Sequence, residues 1–116
     1  MTKVVINPGA CGFSVLVTAE REKDKKIRIS IETACEMVKK MAEEIEALDM
    51  MSVFTRLHDN PVYRSAAKHL KHITCPVPGG ILKAMEAESG FAVPKDVSIV
   101  FVESEKGRRD RKGMPI

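Results

Sequence analysis

An α+β domain is the architecture this sequence predicts: a mostly antiparallel sheet of about four strands with helices on one face, in the order β-β-β-α-α-α-β. Three observations lead there. Residues 12–20 and 26–32 both alternate apolar and polar side chains, the period of a half-buried strand, on either side of the charged turn 21–25. Apolar residues then recur at helical spacing after Thr33, after Asn60 and after Pro78. Finally, Val97-Ser-Ile-Val-Phe-Val102 is a β-branched and aromatic run introduced by Pro94, and it reads as a closing strand.

Taken in order, Lys3–Ile6 is a short first strand stopped by Asn7-Pro8-Gly9, where proline fixes φ and glycine permits a turn. Cys11 follows between Gly9 and Gly12. An antiparallel pairing centred on the 21–25 turn then sets Cys11 near Cys35, with Ile27, Ile29 and Ile31 on one face and Arg28, Ser30 and Glu32 on the other. Thr33-Ala-Cys-Glu36 fits a capping box, with Thr33 as N-cap and Glu36 as its reciprocal partner. Ala34, Val38, Met41, Ala42, Ile45 and Leu48 form the buried stripe of the first helix. Residues 49–59 read either as its continuation or as a loop under the core. Asn60-Pro61 starts a second helix over 61–71. Pro76 and Pro78 keep the chain out of a helix until residues 77–79, and Ser89-Gly90 ends the third helix.

Composition limits what such a domain can do. The 116 residues make one domain, residues 1–102, followed by a basic tail over 103–116. The net charge of +3 resides wholly in residues 107–116, so the remainder is neutral and offers no basic face. Aromatic residues are only 4% and tryptophan is absent, which argues against single-stranded nucleic acid as a partner. No apolar run approaches a membrane span or a secretory h-region, so a cytoplasmic, non-membrane protein is expected. In a reducing compartment three cysteines are a poor disulfide framework, and metal or thiol chemistry becomes the question.

Each cysteine alone has a plain explanation: a tight turn for Cys11, a small core residue for Cys35. Together, Cys11, Cys35 and Cys75 all fall at element boundaries where backbone amides are free, two of them at helix starts. Free amides and the positive helix end offset charge on sulfur, as thiolate ligands need. His72 lies three residues before Cys75 and is the candidate fourth ligand. His69 shares a helical face with His72, but beside Lys68 and Lys71 that face reads as solvated. Gly79 and Gly80, following Pro78, would let an anion approach the start of the third helix, although the spacing falls short of a Walker loop. Glu43-Glu44 and similar carboxylate pairs read as solvation, and no hydrolase constellation is visible.

The stretches Asn7-Pro-Gly-Ala-Cys-Gly-Phe13 and Cys75-Pro-Val-Pro-Gly-Gly-Ile-Leu-Lys-Ala-Met-Glu86 resemble the signature of a small prokaryotic family of uncharacterised proteins. That likeness names relatives and implies no reaction. The layout of Cys11-Gly12, Thr33-Ala-Cys35 and Cys75 also resembles the IscU/NifU-type iron–sulfur cluster scaffolds. There, too, a Cys-Gly opens a strand, a second cysteine lies at a strand-to-helix junction and a third begins a later helix. This chain departs from them at two positions: Phe13 stands where those scaffolds place aspartate, and Thr74 stands where they place histidine. It also lacks their proline-rich chaperone-binding motif.

The expectation is therefore a metal or iron–sulfur binding protein using Cys11, Cys35 and Cys75, with an iron–sulfur cluster or zinc as cofactor. The scaffold likeness implies a protein partner for cluster transfer. One alternative is a thiol-redox protein in which Cys11 or Cys35 attacks and the other resolves. Another is a small-ligand or protein-interaction module with structural cysteines. The short first strand leaves a sheet edge at which a homodimer can form.

Overall fold

The computed structural model describes residues 1–103. Its centre is a four-stranded antiparallel sheet in the order β1-β2-β3-β4, formed by Thr2–Ile6, Val15–Arg21, Lys26–Thr33 and Ala47–Asp49. Helices α1 (Glu36–Glu43), α2 (Pro61–His69) and α3 (Val77–Glu88) accompany it, giving an α+β fold. The strand alternation read from the sequence is physical. Val15, Val17 and Ala19 of β2 and Ile27 and Ile29 of β3 are buried, while Lys26, Arg28, Ser30 and Glu32 face solvent. The buried face meets Val38 and Met41 of α1, Val62 and Ala66 of α2, and Ile81, Ala84 and Met85 of α3 in one continuous core.

The β2–β3 ladder runs from Val15–Thr33 to Arg21–Ile27, slightly offset from the register expected for the hairpin. The connection is a short 3₁₀ turn, Lys23–Lys25, in which Asp24 and Lys25 take φ of 62° and 59°. That left-handed turn absorbs part of the charged stretch and moves the strand ends by a residue or so.

Two further elements differ from the sequence reading. First, α1 starts at Glu36 with Cys35 as N-cap, and the Thr33 hydroxyl accepts the Cys35 amide proton at 3.1 Å. The hydroxyl closes this local turn in place of the expected capping box. The helix ends at Glu43, and Ala47–Asp49 leaves the helical stripe to pair with Lys26–Arg28. An open strand edge offers backbone partners that outweigh the weak periodicity of the last helical turn. Second, Val97–Val102 is no strand; it lies unpaired and exposed. The fourth strand is Ala47–Asp49, and the element order is β-β-β-α-β-α-α. β propensity describes side chains that suit a half-buried surface, and it supplies no neighbouring strand.

Asn60 organises the crossing from the sheet to α2. It is 2% exposed and caps the helix by accepting the Val62 amide proton at 2.9 Å. Its own amide donates to Ser52 O at 2.8 Å and to Thr55 Oγ1 at 3.1 Å, tying down the 3₁₀ segment Met50–Phe54. The basic tail expected over 103–116 lies, beyond Glu103, outside the described residues.

Candidate functional site

Strand pairing aligns three loops at one end of the sheet. Ile6 pairs with Val15 and Val15 with Thr33, so the β1–β2 loop carrying Cys11 and the β3–α1 junction carrying Cys35 open on the same side. The start of α3 joins them because Gly80 packs directly against Ile6. A Cβ at Gly80 would strike the Ile6 side chain, lying 2.7 Å from Cγ1. Glycine is what lets helix and strand approach here, and the approach brings the loop that bears Cys75 to the same end.

The three cysteines occupy different settings, all as free thiols. Cys11 is exposed in a turn closed by the Gly12 amide donating to Gly9 O at 3.0 Å. Gly9 and Gly12 hold φ of 91° and 75°, and a Cβ at either would meet nothing within 4 Å. The turn therefore needs glycine for its backbone and is packed against nothing at those two positions. Cys35 and Cys75 are half-buried and pack against the core. The Cys75 amide donates to His72 O at 3.2 Å, and Cys75 stands immediately before the proline that caps α3.

Electrostatics connect them. Burial pushes the Cys75 thiol above its ordinary value of 9.0, a hydrogen bond from the Val77 amide draws it back, and Cys11 and Cys35 raise it further as like charges. Both other sulfurs thus lie within electrostatic reach of Cys75. Among the described residues, however, no three His, Cys, Asp or Glu side chains are already drawn together as a ligand set.

His72 and Cys75 also line a groove of about 600 Å³ between α2 and the 70–78 segment, together with Tyr63, Leu70 and Pro78. Tyr63 went unremarked in the sequence because it falls on a helix whose pattern reads as ordinary packing. Its hydroxyl would lie 3.7 Å from a Cβ built on Gly79. At the expected anion cradle, packing accounts for Gly80, whereas a Cβ at Gly79 would make only an ordinary contact with Tyr63.

A second polar cluster lies between α1 and α2. Ser65 is buried, with Oγ 2.8 Å from Glu44 Oε1 and 3.1 Å from Met41 O, and its single proton goes best to the nearer carboxylate. Lys68 Nζ and His69 Nε2 stand 3.4 and 3.3 Å from Glu44 Oε2. The His69 contact is an ion-pair approach without hydrogen-bond alignment. The Ser65 hydrogen bond, followed by the approach of the His69 imidazole, holds the Glu44 carboxyl below its usual value. Here the carboxylate sits between serine and histidine, whereas a nucleophilic triad needs histidine in the middle to take the serine proton. The cluster is a clamp between helices.

Geometry and side chains together define an α+β domain whose antiparallel meander gathers three thiol-bearing loops at one end. A family model described as a family of unknown function, DUF6951, matches residues 2–101, and the chain belongs to that family. No curated protein and no solved structure gives a significant match. No helix among the described residues is long and apolar enough to cross a membrane.

Proposed function

We propose that this domain binds a soft metal centre, zinc or an iron–sulfur cluster, through Cys11, Cys35 and Cys75, with His72 as fourth ligand and transfer to a protein partner as its use in a cytoplasmic setting. The observation that carries this reading is the strand register and the Gly80–Ile6 contact, which bring the three cysteine-bearing loops to one end of the sheet. Thiolate ligands suit such centres, and a bound cation opposes the burial and the lesser thiolate repulsion that raise the Cys75 pKa. Binding requires the Cys11 turn to close toward Cys35 and Cys75. Its exposure and its unpacked glycines make that movement cheap. The groove beside His72 and Cys75 leaves the centre open to an incoming partner.

Anaerobic purification followed by metal analysis, absorption spectroscopy and zinc titration tests the proposal. The expected result is stoichiometric metal with thiolate charge-transfer absorption, weakened by serine at each of the three cysteines. Colourless protein that takes up neither zinc nor a reconstituted cluster overturns it. A thiol-redox reading is favoured instead if metal-free protein forms a reversible Cys11–Cys35 disulfide, for which the exposed thiol of Cys11 is the accessible attacking group.

A further inference from the structure

Val97–Val102 is the feature the monomer leaves unexplained. Val97, Ile99, Val100, Phe101 and Val102 are exposed at 60, 87, 73, 90 and 72%. A monomer gains nothing by displaying so continuous an apolar run. The run is also part of the family's shared domain, since the family match extends to residue 101.

The sheet offers a matching deficit. β1 is an edge strand, five residues long, with Val5 65% exposed and Lys3 as its one charged residue. The outer side of β3 beyond β4 is different. Arg28, Lys39, Glu43 and Glu46 line the groove beside it, charges that guard an edge against pairing. The arm is not paired with its own β1, since residues 97–102 form no strand in the monomer. After α3, the Phe91 amide bonds to Glu86 O and the Phe91 ring packs on Phe54 at 4.9 Å.

We infer that residues 97–102 of one chain add as a fifth strand to the β1 edge of a second copy, the two copies exchanging arms in a closed two-fold dimer. Backbone hydrogen bonds along β1 supply affinity, and alternate arm side chains cover Val5. Reciprocity closes the assembly at two, with each β1 edge covered by the other copy's arm. Pro94 keeps the residue before it out of the helical region, so the chain cannot run on from α3 as a helix into the arm.

Sedimentation of the full chain is the test, and it is independent of the thiol site. The expected result is a dimer whose dissociation constant rises at least about tenfold in Ile99→Asp/Phe101→Asp and, separately, in Val5→Lys. All three positions are exposed in the monomer, so each variant should keep the wild-type circular dichroism. Hydrogen exchange on the wild-type dimer is the second readout: amides 97–102 should be protected, and that protection should fall on dilution to monomer. A wild-type monomer at high concentration overturns the proposal, as does a dimer indifferent to both variants. Concentration-independent protection of 97–102 also overturns it, because the arm would then pair within its own chain.

Discussion

Gly80 shows how much can rest on a missing methyl group. Its approach to Ile6 sets the distance between α3 and β1 and so the position of the Cys75 loop. Gly80→Ala should destabilise by about 1–3 kcal/mol despite alanine's better helix propensity, because the added atom is forced into a filled site. Shortening Ile6 to alanine in the same protein should recover part of that loss, and a double-mutant cycle measures the coupling. Glu88 is a second decisive residue. Burial works to raise its pKa, but the Thr2 hydroxyl, the Arg21 amide and the N-terminal ammonium outweigh burial and leave it below the ordinary 4.5. A depressed carboxyl stabilises the fold above its unfolded pKa and loses that contribution as pH falls through the folded value. Urea unfolding should therefore find Glu88→Gln weaker by about 1–3 kcal/mol at neutral pH, with the gap closing under acid. For Cys75, alkylation rate against pH should show a thiol above 9.0 that moves down in Cys11→Ser/Cys35→Ser. No movement would mean that the three sulfurs do not share a field.

Elements are held by caps and clamps more than by propensity. The helices are short, at 8, 9 and 12 residues, lengths that would be marginal in isolation. Asn60 combines an N-cap with two further hydrogen bonds in a buried position, so Asn60→Ala should cost about 2–3 kcal/mol by thermal or urea unfolding. Ser65→Ala, which removes the tie from α2 to Glu44, should cost about 1–2 kcal/mol and bring the Glu44 pKa back toward 4.5. Of these two residues, Asn60 was legible in the sequence as a cap, since Asn-Pro is a helix-start signal wherever it occurs. Ser65 was not: its partner lies on another helix, and no local pattern announces it.

At the level of the whole molecule, a ligand that bridges three loops must stabilise the folded state by mass action. If the thiol end binds zinc, a saturating excess should raise the melting temperature, and serine at any one of the three cysteines should reduce that rise. The same end-on arrangement explains why the cysteines separate so widely along the chain. An antiparallel meander returns alternate connections to one end, and α3 lies back along β1 to bring its N-terminus there.

Alternation and helical spacing by themselves determined the antiparallel hairpin, the three helices and the apolar face they share, because those signals are local and repeat along the chain. The placement of Cys11, Cys35 and Cys75 at element boundaries was equally readable, since turn and cap residues declare themselves within a few positions. Tertiary structure alone decided that Ala47–Asp49 would be the fourth strand and that Val97–Val102 would be left unpaired. Strand partnership depends on which edge is free and within reach, a property of the assembled sheet that no window of residues contains.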